Sequence, residues 1–374
     1  MKFFIFILIT FILAQEDCID NRYLDPIFNV ETIYDVQYGE NINQTILGTD
    51  YAEELYMDIY QPGNDSNDNR PLIFFMFGGS FVSGSKSAYD IVSLCIDYAS
   101  RGYVAVSIDY RLSTGALLFS PNEENAYKAV MKGIHDLKSA IRYFRMNDEL
   151  YDDYKIDSNR IFAGGVSAGA IVAVNAAYLN SEEEIPDFLL DDLDEIGGIE
   201  GLSGNQNYDS SFSGIVNLCG AIGEYTWIEE GDIPIVSMHG NQDSTVPYAD
   251  NLVTLFGLNI QVYGSHTIHE TMLDFNNYSE LYTYEGEGHV PFSDLEFESN
   301  FTSSFLYELV CNENMLGDIN LDDSIDVLDV IWLINFILLF ETPDSNQIDA
   351  ADINNDDMLN ILDIVSLVEI ILSN

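Results

Sequence analysis

Basic residues are the scarcest chemistry in this 374-residue chain: 13 Lys and Arg stand against 63 Asp and Glu, for a formal charge of −50 at pH 7. So few cations cannot neutralise a phosphate backbone that the acidic excess repels, which argues against a nucleic-acid partner. Docking on an anionic membrane is disfavoured for the same reason. Long hydrophobic runs are missing too. Outside the N-terminus no segment approaches the about 20 apolar residues of a membrane span. Cysteine is limited to Cys18, Cys95, Cys219 and Cys311, and none has the spacing of a metal site. Apolar residues, in contrast, are plentiful. A hydrophobic content of 47%, with 22 Phe and 23 Tyr, suffices for one large core plus an accessory module. The acidic excess reads first as a heavily solvated surface, with calcium binding by part of it as the sharper alternative.

The N-terminus reads as an export signal over residues 1–14. Lys2 supplies a minimal positive region, Phe3 to Leu13 is apolar, and Ala14 follows at a cleavage position. The expectation is a secreted protein, with a retained interfacial anchor as the alternative.

Residues 50 to 311 alternate strand-like and helix-like segments. Pro71 to Phe77 is a continuous apolar run bounded by turn residues, the pattern of a buried central strand. Val104–Ile108, Ile161–Ala163, Gly214–Leu218 and Pro234–Met238 are further strand candidates. Ile91–Ala99 and Lys128–Arg145 have helical spacing. The alternation predicts an α/β domain around a mostly parallel sheet, with antiparallel edge strands from residues 19 to 60. Residues 181 to 213 carry acidic clusters and glycines but little apolar periodicity, and read equally as a lid or as a solvated loop.

The chemistry centres on Gly165-Val166-Ser167-Ala168-Gly169, set between a strand-like run and the helix-like Ala170 to Ala177. Strand, Gly-x-Ser-x-Gly and helix form a nucleophile elbow, in which glycines relieve a sharp turn and expose the serine. A serine nucleophile needs a base, an acid to orient it and donors for an oxyanion. Asp243 follows a buried strand in Met238 to Pro247, and His289 lies in the glycine-rich Gly286-Glu287-Gly288-His289 after Leu281–Tyr284. The order Ser, Asp, His suits this elbow. His269 is the main rival base and Asp250 the main rival acid. His135, His239 and His266 read as surface or capping residues. Gly79 and Ser80, in Phe77-Gly78-Gly79-Ser80-Phe81, and Ala168 are the expected oxyanion-hole donors.

These segments resemble the α/β-hydrolase superfamily, and within it the carboxylesterase and lipase branch, over about residues 30 to 310. Asp109-Tyr110-Arg111-Leu112 contributes to the likeness, while Phe77 departs from it, since the family usually has histidine there. The resemblance implies acyl transfer: attack by Ser167, an acyl-enzyme, and hydrolysis by water activated through His289, with no cofactor for catalysis. Proximity in such a fold pairs Cys18 with Cys95 and Cys219 with Cys311, free buried cysteines being the alternative.

The chain's end is an internal repeat. Asp318-Ile319-Asn320-Leu321-Asp322 recurs as Asp352-Ile353-Asn354-Asn355-Asp356, and Asp326-Val327-Leu328-Asp329 as Asn360-Ile361-Leu362-Asp363. Each copy then enters an apolar helix. The repeat resembles a type I dockerin, an all-α calcium module that binds a cohesin. The resemblance implies calcium ligands Asp318, Asn320, Asp322, Asp326 and Asp329 in the first loop and Asp352, Asn354, Asp356, Asn360 and Asp363 in the second. Ser324 and Met358 would add backbone carbonyls. Asp323 and Asp357 stand where glycine is usual, and the helices lack the basic residues often seen in cellulosomal dockerins.

The reading is therefore a signal peptide (1–14), an α/β-hydrolase domain (15–311) and a dockerin-like domain (312–374). The whole is expected to be a secreted serine carboxylesterase. Acetyl or feruloyl esters of polysaccharide are its substrates by analogy, and a cohesin-bearing scaffold is its partner. A lipase or polyester hydrolase, a serine peptidase of the same fold, and a non-catalytic binding protein are the alternatives.

Overall fold

The structure is a computed structural model that describes Cys18 and residues 21–186, 188–190, 196–311, 317–320, 325–343, 345–354 and 358–373. The signal segment 1–14 lies outside the described residues. The chain divides into two compact units, 1–306 and 307–374.

The first unit is built on an eight-stranded sheet. Its strands are β1 (Asn29–Gln44), β2 (Asp50–Gly63), β3 (Arg70–Met76), β4 (Val104–Ile108), β5 (Ile156–Val166), β6 (Gly214–Leu218), β8 (Ile235–Gly240) and β11 (Ser279–Tyr284), in the spatial order β1-β2-β4-β3-β5-β6-β8-β11. The pairs β1/β2 and β2/β4 are antiparallel; the rest are parallel. Every residue of β3 and β4 is buried. Apart from Arg70 at the start of β3 and Ser107 in β4 they are apolar, as a strand covered on both faces requires. A second sheet, of three strands, joins β7 (Ala221–Ile222), β9 (Asp250–Val253) and β10 (Ile260–Gly264) in the order β7-β10-β9.

Helices connect the parallel strands: α1 (Tyr89–Arg101), α2 (Thr114–Phe119), α3 (Glu123–Leu150) and α4 (Ala168–Tyr178), with α5 (Ser265–Asp274) and α6 (Leu295–Cys311) further on. α3 starts where the Asn122 side chain accepts a hydrogen bond from the Asn125 amide, and α1 ends at Gly102, whose φ of 112° needs no Cβ. α4 reads Ala-Gly-Ala-Ile-Val-Ala-Val-Asn-Ala-Ala-Tyr and buries nearly all its residues, because small side chains let it sit against β3, β5 and β6.

The scarce cations hold the fold. All 13 Lys and Arg occur at or before Arg160. Arg111, between β4 and α2, donates through its amide and guanidinium to Asp136 of α3 at 2.8–3.0 Å, and through Nη1 to the Ile42 carbonyl of β1 at 2.8 Å. The Ser203 hydroxyl donates to the same carboxylate at 2.7 Å. Asp136 and Arg111 are both buried. The segment 181–213, read as a lid or a loop, is thus in its described part a buttress. Ser203 bonds Asp136, Glu200 pairs with Lys138 at 2.6 Å and Arg142 at 3.1 Å, and Gly198 offers its carbonyl to buried His135 at 2.9 Å.

Two cysteine expectations are overturned. Cys18 and Cys311 are the disulfide-bonded residues, whereas Cys95 and Cys219 are free. Cys95 faces the core from α1 and Cys219 is enclosed beyond the end of β6. Burial raises the pKa of both thiols.

The second unit has its own small core of Ile319, Leu333, Phe336, Ala351 and Leu367. Its helices are α7 (Val327–Ile337), α8 (Ser345–Ala351) and α9 (Ile361–Ser373).

Removing one partner of a buried ion pair leaves the other charge uncompensated. Asp136→Ala should therefore lower the unfolding free energy by about 3–5 kcal/mol, read from urea melts, whereas the exposed pair Lys128–Glu124 should contribute less than about 1 kcal/mol.

Candidate active site

β5 ends at Val166 and α4 begins at Ala168, so Ser167 alone makes the turn, with φ 55° and ψ −114°. Such a backbone is strained for a residue bearing a Cβ. The packing around it requires glycine. A Cβ on Gly169 would lie 2.1 Å from the Met76 carbonyl oxygen, and one on Gly165 would lie 2.5 Å from the Gly169 carbonyl carbon. The Ser167 amide donates to the Leu218 carbonyl at 2.9 Å, tying the elbow to the end of β6.

The parallel pairing of β8 and β11 brings the next two loops side by side. The Gln242 amide donates to the Glu287 carbonyl at 2.8 Å, and a Cβ on Gly240 would lie 2.3 Å from the Gly288 oxygen. Across this contact His289 Nδ1 donates to Asp243 Oδ2 at 2.6 Å, and Ser167 Oγ donates to His289 Nε2 at 2.9 Å. Serine, imidazole and carboxylate form one hydrogen-bonded line. The rivals stand apart from it: His269 lies on α5 with Nδ1 on Ser279 Oγ at 2.9 Å, and Asp250 opens β9, exposed. His266 lies on the same helix as His269.

Asp243 is shared. His239, fully buried and so no surface or capping residue, donates from Nε2 to the same Oδ2 at 3.1 Å and to the Val246 carbonyl at 3.1 Å. Its Nδ1 accepts from Ser265 Oγ at 2.7 Å, and Ser265 in turn accepts from Asn217 Nδ2 at 3.0 Å. The amides of Thr245 and Val246 donate to Oδ1 at 2.7 and 3.0 Å. Burial alone would raise the Asp243 pKa. The bonds from His239, His289 and Thr245 more than offset it, holding the carboxyl well below the usual carboxylate range. The sequence signal for His239 was its place four residues before the acid at the end of a buried strand.

Cys219 Sγ also lies within 4.8 Å of ligand atoms of Asp243 and His289. Both imidazole nitrogens are already engaged, by the carboxylate and the serine, so this trio suits proton transfer better than metal binding.

The glycine turn after β3 lies beside the elbow. Gly79 and Ser80 adopt φ 121° and 55°, and a Cβ on Gly78 would lie 3.3 Å from Ser167 Cβ. Among the described residues no backbone carbonyl accepts from the amides of Gly79, Ser80 or Ala168, which leaves these donors open to an oxyanion. Phe77, where the esterase pattern has histidine, stacks on Tyr110 at 4.3 Å, and the Tyr110 hydroxyl donates to the Phe77 carbonyl at 2.8 Å. A ring stack and one buried bond thus hold the turn. Beside Ser167 opens an apolar cavity of about 130 Å³, to which the segment 181–213 contributes no wall among the described residues.

In the tail, equivalent carboxylates repeat the same contacts. Asp329 Oδ1 accepts from the Ile319 and Asn320 amides at 2.8 and 3.1 Å, and its Oδ2 from Asp326 N at 2.7 Å. Asp363 accepts from Asn354 N at 3.4 Å and Asn360 N at 2.8 Å. Asp326 and Asn360 cap the following helices, accepting from Leu328 N and Leu362 N at 2.7 and 2.8 Å. The Met358 carbonyl accepts from Asn360 Nδ2 at 2.8 Å. Asp318, Asp329 and Asp363 are buried, and no Lys or Arg follows Arg160 in the sequence. Oxygen donors and buried carboxylates of this kind fit a hard divalent cation. Asp322, Ser324 and Asp356 lie outside the described residues.

Loss of the His239 bond removes one of two imidazoles from Asp243. His239→Phe should raise the pH at which Asp243 protonates and lower kcat/KM by about 10- to 100-fold, the range for one hydrogen bond to a charged group. A pH–rate profile of ester hydrolysis reads both.

The BD-FAE family matches residues 57–222, a stretch that holds the Gly78–Gly79 turn and the Ser167 elbow but not Asp243 or His289. The dockerin type I domain matches residues 316–372. Acetylcholinesterase 1 of Caenorhabditis briggsae is 27% identical over 158 residues, covering 41% of this chain and 24% of that protein. Fumonisin B1 esterase of Sphingopyxis macrogoltabida is 27% identical over 118 residues, 31% of this chain and 21% of its own. The chain thus spans a quarter or less of the length of these relatives. Among solved structures, Thermogutta terrifontis esterase 2 phosphonylated by cyclosarin superposes with a TM-score of 0.52 at 22% identity, covering 74% of this chain and 94% of that one. The same esterase phosphorylated by paraoxon gives 0.50 at 22%, covering 73% and 95%. At that identity the likeness shows the fold. The chain carries an esterase/lipase-type α/β-hydrolase domain of the BD-FAE type followed by a type I dockerin domain.

Proposed function

We propose that the first unit is a serine carboxylesterase. The observation that carries this reading is the line from Ser167 Oγ through His289 to Asp243, at 2.9 and 2.6 Å. His289 Nε2 takes the Ser167 proton as Oγ bonds to the ester carbonyl carbon, and the amides of Ala168 and of Gly79 or Ser80 receive the oxyanion. Collapse of the tetrahedral adduct breaks the bond to the alcohol oxygen, which leaves with the proton from His289. Water, deprotonated by the same imidazole, then releases the acid and restores Ser167. Asp243 keeps Nδ1 protonated and stabilises the imidazolium, a role suited to a carboxyl held ionised far into the acid range. Esters are favoured over peptides by the oxyanion turn early in the chain and by the likeness to esterases and lipases.

The tail supports attachment to a cohesin-bearing scaffold outside the cell, in keeping with the export signal read in residues 1–14 and with polysaccharide-linked substrates. No described helix is long and apolar enough to cross a membrane. The tail's helices leave Val327, Ile331, Leu338, Ile361 and Val365 exposed, an apolar face that suits a protein partner in place of the missing basic residues. Calcium, when bound, would neutralise the loop carboxylates. Asp318, Asn320, Asp322, Asp326 and Asp329, with the Ser324 carbonyl, would hold one ion, and Asp352, Asn354, Asp356, Asn360 and Asp363, with the Met358 carbonyl, the other.

Ser167→Ala should cut hydrolysis of p-nitrophenyl acetate by at least about 10³-fold, and an unchanged rate would overturn the mechanism. Calorimetric titration of the full chain should show calcium binding that Asp329→Ala and Asp363→Ala each weaken; absence of binding would remove the calcium reading.

A further inference from the structure

The cavity beside Ser167 is walled by four elements: Val130 and Ile134 from α3, Ile171 from α4, Ile222 from β7, and Leu258 and Val262 from the segment around β10. The last of these belongs to an excursion between the Asp243 loop and α5, in which β9 and β10 form an antiparallel hairpin and β10 pairs with β7. The hairpin is seated on the acid loop, since a Cβ on Gly264 would lie 1.8 Å from the Pro247 carbonyl oxygen. The wall is thereby registered to the site.

Ser80, Ser167 and Ala168 line the cavity; His289 and Asp243 are not among the described residues that do. This decides which half of an ester enters it. The alcohol oxygen must face His289 Nε2 to receive its proton, so the alcohol leaves on the imidazole side. The cavity, on the side of the oxyanion donors, is left for the acyl chain.

Its chemistry defines that chain. The carboxamide in the wall, Asn175, is spent: Nδ2 donates to the Ile171 and Ala221 carbonyls at 2.7 and 3.0 Å, and Oδ1 accepts from Gly223 N at 2.9 Å. A feruloyl group would bring a phenol and a methoxy oxygen, for which the lining beyond Ser167 and Asn175 offers only the Ser80 and Tyr127 hydroxyls and the Trp227 indole N–H among its side chains. An alkyl chain needs no polar partner. In size, about 130 Å³ is close to the roughly 150 Å³ apolar cavity that takes benzene, a six-carbon guest. An acetyl group would leave most of it unfilled.

We propose that this cavity is an acyl pocket for unbranched alkyl chains of about six carbons, and that the hairpin between Asp250 and Gly264 sets its length. The proposal rests on the serine-esterase reading of Ser167.

The test is a series of p-nitrophenyl esters from acetyl to decanoyl, with methyl ferulate beside them, run on the full chain. Stoichiometric labelling of Ser167 by an alkyl fluorophosphonate is measured in parallel. Filling the pocket should raise kcat/KM about fourfold per methylene up to hexanoyl, the value for moving one CH₂ out of water, with a fall by decanoyl. Val130→Phe, which narrows the pocket, should lower the hexanoyl-to-acetyl ratio at least about tenfold. Leu258→Ala should move the optimum to octanoyl or longer, and serves if the larger side chain prevents folding. A profile flat or falling from acetyl, or methyl ferulate preferred to hexanoyl, on a protein whose Ser167 is labelled, overturns the acyl pocket and leaves the esterase reading standing. No labelling and no hydrolysis of any ester overturns both.

Discussion

The elbow at Ser167 is the constraint on which the rest of the hydrolase unit depends. A serine at φ 55° is strained, at a cost of about 1–3 kcal/mol, and it persists only where its surroundings over-determine it. Here the backbone of β3 lies against Gly165 and Gly169 so closely that no side chain fits at either position. β3 is itself buried at every residue. The elbow therefore cannot relax without opening the centre of the sheet. Its amide is tied to β6, and the neighbouring glycine turn packs on Ser167 Cβ, so the Ser167 hydroxyl and the amides of that turn share one rigid frame.

Around that frame the electrostatics are economical. Asp243 carries two imidazoles and two amides, so the carboxylate that orients His289 is anchored from below by His239, Ser265 and Asn217. A buried polar network of this kind is stable only because each member finds a partner. The cations follow another logic. Confined to the first 160 residues, most of the described ones are buried or half-buried clamps, such as Arg111 on Asp136 and Lys86 on Asp58. Beyond Arg160, Glu200 borrows Lys138 and Arg142 and Asp243 two imidazoles, and in the tail the oxygen-rich loops suit a divalent cation.

The hydrolase strands were legible because a strand covered on both faces must be almost wholly apolar, as Leu72 to Met76 is and as Val104 to Ile108 is but for Ser107. The elbow was legible because its strain demands small residues at fixed spacing. The repeat in the tail was legible because its ligand positions recur in register. His239 was not, since a histidine beside a loop looks the same in sequence whether its ring meets solvent or a buried carboxylate. The cysteines were misread for a related reason. Nearness in a fold class does not say whether a thiol faces another thiol, and Cys95 and Cys219 face the core.

The amino-acid sequence by itself determined the order of elements, the strained serine between its glycines, and the paired acidic loops, because each is enforced by local sterics or by periodicity. Tertiary structure alone decided which histidine and which acid reach Ser167, since the parallel pairing of β8 with β11 places the Asp243 and His289 loops together across many intervening residues. It also decided that residues 181–213 brace α3 and that the hairpin after Asp243 walls the cavity. Neither segment carries a pattern of its own; each takes its role from the surface it packs against.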